Sequence, residues 1–186
     1  MIRKRSNNDL CTPAPIIDRV VKWLGPIDLD PCSNEWSLVG AAHTYSIDRG
    51  EDGLSLPWFG RVWENPPYGR GHLKRWAMCA ARHSETGMAE IISIVPTSTE
   101  TESFAIRKSY ADVRIDLSTR VKYGGGKHGS GIFGSTIFYS GQRPYLFAHA
   151  FADCGEIIIY NRPKRPLCPG SPYKPRSRWR CAHSSW

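Results

Sequence analysis

Arg61-Val62-Trp63-Glu64-Asn65-Pro66-Pro67-Tyr68 runs from a short, partly apolar segment into two consecutive prolines. Residues 61–64 read as a short strand that runs into Asn65, with Val62 and Trp63 of the β-branched and aromatic kind that strands favour. The prolines end it, since neither can donate to a ladder. Beyond the turn, His72–His83 places Leu73, Trp76, Ala77 and Ala80 on one side of a predicted helix. A strand, a stiff turn and a helix in that order make the repeating unit of an α/β domain.

The turn also carries chemistry. Two prolines fix φ twice and remove two backbone donors, so carbonyl acceptors point outward. The Asn65 side-chain oxygen and the Pro66 carbonyl form a pair of acceptors, Pro67 stiffens them, and Tyr68 offers a ring face for stacking. Such a constellation suits one planar exocyclic amine or amide, with a flipped nucleobase as its natural occupant. Asn65, Pro66, Pro67 and Tyr68 are therefore the candidate catalytic residues.

Outward from this unit the chain keeps alternating. A helix is expected behind a Thr12 N-cap, with prolines in its first turn and Ile16, Ile17, Val20, Val21 and Leu24 at helical spacing, stopped by Gly25-Pro26, and a short strand at Ile27–Asp30 ends on Pro31. Residues 33–57 read as loop with a short helix near 38–42. Strands are expected at 90–95, 113–117 and 156–160 and a helix at 102–109. Residues 120–123 and 132–140 read as the arms of a hairpin around Gly124-Gly125-Gly126, and 146–153 fits helix or strand. The sum is an α/β fold with a mostly parallel sheet, whose ligands bind beyond the carboxyl ends of the strands. Asp28-Leu29-Asp30-Pro31-Cys32 and Asn65–Tyr68 both stand at such ends. Strand-end carboxylates suit the hydroxyls or amine of a nucleoside-like ligand; a divalent metal on Asp28 and Asp30 is the rival reading, without a third ligand. Asp52-Gly53-Leu54 forms a third acidic turn.

Composition narrows the classes further. With 186 residues and 40% hydrophobic content, one folded domain is expected. No apolar run is long enough for a membrane span, and no secretory h-region follows Met1, so a cytoplasmic protein is expected. Six scattered cysteines lack the C-x-x-C spacing of a zinc site. The net charge of +8 is uneven, because residues 161–186 hold seven Lys and Arg and no acid, which leaves +1 for residues 1–160. Residues 1–11 are a basic arm, 12–160 the folded domain, and 161–186 a Pro/Arg-rich tail suited to phosphate contact or simply to solubility. The loop at 124–131, with Lys127 and His128, is either a groove-contacting loop or plain surface. Trp58, Trp63 and Trp76 read as core, His72 and His83 as solvated helix residues, and Cys32 as a packed thiol or a cofactor-side contact.

In chain order, Thr12-Pro13, Asp28-x-Asp30-Pro31-Cys32, Asp52-Gly53-Leu54, Trp58 and Asn65-Pro66-Pro67-Tyr68 resemble the phage-type DNA N-6-adenine-methyltransferase family, the small Dam-like enzymes. The resemblance covers roughly residues 10–160 and is looser after Val95-Pro96. It implies a Rossmann-like fold, S-adenosyl-L-methionine as methyl donor, and double-stranded DNA as partner. It implies cofactor contacts from Thr12, Pro13, Asp28, Asp30, Pro31, Cys32, Asp52 and Leu54. The Gly-x-Gly turn of larger methyltransferases is replaced here by Asp30-Pro31-Cys32-Ser33. Methylation of cytosine N4, of RNA or of a protein glutamine, and a non-catalytic nucleic-acid-binding role, are the alternatives.

Overall fold

A computed structural model describes residues 10–69, 71–124 and 133–162. Most of the basic arm, of the 124–131 loop and of the 161–186 tail lies outside the described residues.

The strands form one seven-stranded sheet flanked by helices on both faces. In chain order the elements are α1 (Ala14–Leu24), β1 (Leu29–Asp30), β2 (His43–Thr44), β3 (Gly60–Glu64), α2 (His72–Glu85), β4 (Ala89–Pro96), α3 (Glu102–Tyr110), β5 (Val113–Leu117), β6 (Ser135–Ser140), α4 (Pro144–Ala150) and β7 (Gly155–Ile159). The spatial order is β2-β1-β3-β4-β6-β5-β7. Helix α1 begins without a side-chain cap but with proline in its first turn, and Gly25 ends it at φ 98. On β3 and β4, successive residues serve opposite faces. Val62 and Ile91 pack with Trp58, Trp76 and Tyr110 under α2 and α3. Trp63, Ile92 and Ile94 pack with Val20, Phe147 and Phe151 under α1 and α4. Burial on both faces is why the β4 sequence is almost uniformly apolar instead of alternating.

The expectation of a mostly parallel sheet needs correction. Three neighbouring pairs are parallel, β1 with β2 and β3 and β3 with β4. Three are antiparallel, because β6 runs down between β4 and β5, and β7 runs down the outer edge of β5. The sheet is mixed, and the domain is compatible with a Rossmann-like arrangement. The expected hairpin is also displaced. The strand that pairs with β6 across the connection is Val113–Leu117, and residues 120–123 lie within the connection. No helix forms near 38–42; that region supplies β2 and a single 3-10 turn at Ile47–Arg49. Residues 146–153 resolve mainly into helix α4.

One ion pair ties β3, α2 and α3 together at the carboxyl edge of the sheet. Glu64, the last residue of β3, and Arg107 of α3 are fully buried, with Nη2 of Arg107 at 2.5 Å from Oε1 of Glu64. Ser93 of β4 donates its hydroxyl to the other Glu64 oxygen. Arg107 Nη1 donates to the Leu73 carbonyl in the first turn of α2 at 3.3 Å. Burial raises the Glu64 carboxyl above its ordinary range, and the guanidinium and the Ser93 hydroxyl oppose that rise. Removing one partner strands a buried charge, whereas removing both does not. Arg107→Met is expected to cost roughly 3–5 kcal/mol. Glu64→Gln combined with Arg107→Met should cost clearly less, as read by urea unfolding in a double-mutant cycle.

Candidate active site

The chain leaves β1 outward to β2 and then returns to β3 on the other side of β1, so the sheet changes direction of growth between β1 and β3. A crevice opens at the carboxyl ends of two parallel strands wherever their connections diverge in this way. The turn Pro31-Cys32 ends β1 and the turn Asn65-Pro66 ends β3, and both border one cleft of about 360 Å³. Small-molecule sites of roughly 300–1,000 Å³ are the usual range. Pro31, Cys32, Asp52, Leu54, Asn65 and Pro67, each singled out in the sequence, all line it.

Gly53 explains how the Asp52-Gly53-Leu54 turn reaches the strand ends. A Cβ placed there would lie 1.9 Å from the Pro31 carbonyl oxygen, so only glycine allows this approach. Asp52 is exposed and caps its own turn, accepting from the Leu54 amide at 3.0 Å. Trp58 is fully buried beneath and donates its indole N–H to the Gly53 carbonyl at 2.8 Å. Trp63 is likewise buried, and Trp76 is buried at the cleft's border.

Asn65 is oriented by the backbone before α1. Its Nδ2 donates to the Leu10 carbonyl at 2.5 Å. A carbonyl only accepts, so the amide must present Oδ1 on its other side. That oxygen takes a hydrogen bond from the Tyr68 hydroxyl at 2.7 Å. The Leu10 segment is itself fixed by paired backbone bonds between Cys11 and Gly124 at 2.8 and 2.9 Å. Tyr68 is turned into an aromatic group, edge-on to Tyr123 and Phe133 with centroids 6.1 and 5.5 Å away. Burial and the neighbouring Tyr123 hydroxyl push the Tyr68 phenol well above its ordinary range, so it stays protonated and a donor.

The remaining predicted residues are not cleft lining. Asp30 is buried at 3% exposure, and its carboxylate accepts from the Cys32 amide at 3.2 Å and the Ser37 hydroxyl at 3.0 Å. It shapes the Pro31-Cys32 turn from behind. Asp28 accepts from the Arg61 amide at 2.7 Å and ties the start of β1 to β3. The two carboxylates thus serve separate backbone partners. Thr12 is buried, and its hydroxyl has no partner among the described residues; Pro13 is the residue before α1. Pro66 is buried within the turn. The Cys32 thiol is raised well above its ordinary range by burial and by Asp30 and Glu64, which suits a packed thiol and not a nucleophile.

Sequence reasoning missed Tyr45, Ile47 and Glu51 on the β2 side, and Arg75 on α2. Glu51 is held by the Ser46 amide at 3.0 Å and Arg49 at 2.9 Å, which lower its carboxyl below the ordinary range. Only the pairing of β2 with β1 brings this segment to the cleft, and a two-residue strand leaves no periodic signal.

Burial pushes the Asp30 carboxyl up to about 6, against the hydrogen bonds from Ser37 and Cys32. The folded state then holds this proton more tightly than the unfolded chain, so stability falls as pH rises from about 4 to about 6. The loss at neutral pH is on the order of 3 kcal/mol. Asp30→Asn keeps an acceptor and removes the charge. Its unfolding free energy relative to wild type should therefore improve between pH 4 and pH 7, as measured by urea titration at both values.

No protein-family model matches this chain, and no curated protein matches it.

Proposed function

We propose that this protein is an S-adenosyl-L-methionine-dependent methyltransferase that modifies the exocyclic N6 amine of adenine in DNA. The observation that carries the reading is the oriented Asn65 amide, which presents an acceptor oxygen at the edge of a cleft at the sheet's switch point. The order of β3, β4, the reversed β6 and β5, with helices on both faces, agrees with a Rossmann-like fold.

The cleft's chemistry fits the donor. Glu51 and Asp52 offer carboxylates for ribose hydroxyls or the amine, and Tyr45, Ile47 and Leu54 offer apolar surface for a purine. Gly53 leaves room that a Cβ would take. Bound there, S-adenosyl-L-methionine would supply an electrophilic methyl group.

The chain's own residues account for the other half of the reaction. Adenine N6 is a poor nucleophile because its lone pair is delocalised into the ring. Asn65 Oδ1 and the Pro66 carbonyl, accepting from the two N6 hydrogens, would favour a pyramidal nitrogen and free that lone pair. Positioning and electrostatics then replace a strong general base. The site is consistent with that, since the Cys32 and Tyr68 protons are both held tightly. Extrusion of the base costs a few kcal/mol, and stacking against an aromatic side chain such as Tyr68 offsets part of it.

Asn65→Ala should lower methyl transfer about 10²–10³-fold, the loss typical of one preorganised polar group, with little change in cofactor affinity. The assay is incubation with mixed-sequence DNA followed by nucleoside mass spectrometry. Undiminished turnover in the variant sinks the reading, and N4-methylcytosine in place of N6-methyladenine moves it to cytosine.

A further inference from the structure

Cations on the described surface divide into those with a local reason and those without one. Seven Lys and Arg side chains are paired to carboxylates within 4 Å. Arg162 donates to the Ala111 and Lys108 carbonyls. Six others, Lys22, Arg75, Arg82, Lys108, Arg120 and Lys122, have no carboxylate partner among the described residues. Lys22, Arg82 and Lys108 sit in the last turns of α1, α2 and α3, where the helix dipole favours positive charge. Each of those turns leads into a following strand, so all three lie toward the amino edge of the sheet.

Arg75, Arg120 and Lys122 lack that explanation. Arg75 stands in the first turn of α2, where the dipole disfavours a cation, and it borders the cleft. Arg120 and Lys122 follow β5, which runs parallel to β1 and β3, so they lie at the same carboxyl edge as Asn65. They are exposed while the alternate residues Val121 and Tyr123 are buried. Tyr123 touches Tyr68 hydroxyl to hydroxyl at 3.2 Å, which puts Lys122 next to the aromatic group behind Asn65. The free charges therefore flank residues 65–68 on two sides. The carboxylates Glu51 and Asp52 occupy the other side of the cleft, toward β2.

We propose that Arg75, Arg120 and Lys122 form the surface on which the folded domain holds the phosphates flanking the target base. Deepening the methyltransferase reading and resting on it, this assigns backbone contact to the domain itself and not to the basic tail alone. Phosphates are the partner these charges fit. They need no carboxylate, remain exposed, and converge on the place where a base must leave a duplex while its neighbours stay in register.

The test compares the full chain with Arg120→Gln/Lys122→Gln and with a control of equal charge change, Lys22→Gln/Lys108→Gln. Binding of a short mixed-sequence duplex is measured against salt, and methyl transfer to the same duplex is followed in parallel. Each phosphate contact contributes about 0.9 to the slope of log K against log salt. The first variant should lose about 2 from that slope, while the control keeps the wild-type slope and activity. An unchanged slope in the first variant overturns the proposal, as does an equal loss in the control. Wild-type protein that binds DNA with the expected slope but transfers no methyl group sinks the methyltransferase reading and leaves the phosphate surface standing.

Discussion

A buried charge one residue before the Asn65-Pro66-Pro67 turn organises the carboxyl edge of this domain. Glu64 would sit far more cheaply in water, yet it ends β3 with almost no exposed surface. Among the described residues its paired cation is Arg107, from a helix that arrives much later in the chain. That one guanidinium reaches Glu64 and the first turn of α2, and Ser93 closes the group from β4. The strand end that aims Asn65 and the helix end that carries Arg75 are thereby fixed to the same side chain. An apolar substitute could fill the volume, but it could not fix both backbone segments with directed bonds.

Close backbone approach completes what the ion pair begins. The Asp52-Gly53-Leu54 turn lies against the Pro31 carbonyl with no room for a side chain. Asp30 holds the Pro31-Cys32 turn from beneath through its bonds to Cys32 and Ser37. Its charge is costly there at neutral pH, since burial raises its pKa. A carboxylate retained at such cost beside a cleft is the kind of local conflict that functional sites carry. The charges lining the cleft are also sorted, with Glu51 and Asp52 toward β2 and Arg75 on α2.

Much of this was legible from local pattern. The prolines and Gly25 marked α1, the apolar spacing marked α2, and β4 and β5 were bounded almost to the residue. The cleft-lining turns were legible because strand ends in α/β sheets face ligands. What failed was pairing. Residues 120–123 alternate between exposed and buried as an edge strand would, yet the alternation comes from lying across the sheet's edge. Asp28 and Asp30 looked equivalent at i and i+2, but one meets the Arg61 amide and the other the Cys32 turn. The Glu64–Arg107 pair spans 43 positions, and no local signal distinguishes it from a surface charge on a strand and another on a helix.

The resting hydrogen bonds of Asn65 bear on how a substrate amine could be received. Leu10 accepts from the amide nitrogen, so rotation of the side chain would set two acceptors against each other and is disfavoured. The oxygen is not left bare, because Tyr68 donates to it. An incoming N–H donor would replace an O–H donor on the same acceptor, so the count at Asn65 is conserved. The displaced phenol is not stranded either, since the Tyr123 hydroxyl and the Ile94 carbonyl lie 3.2 and 3.3 Å away. The exchange therefore avoids the penalty of an unsatisfied buried group at either residue. In a methyltransferase this arrangement keeps the acceptor aligned between turnovers. Under the proposed function, the Tyr68 hydroxyl would hold the place of the amine on Asn65 Oδ1 until the substrate arrives.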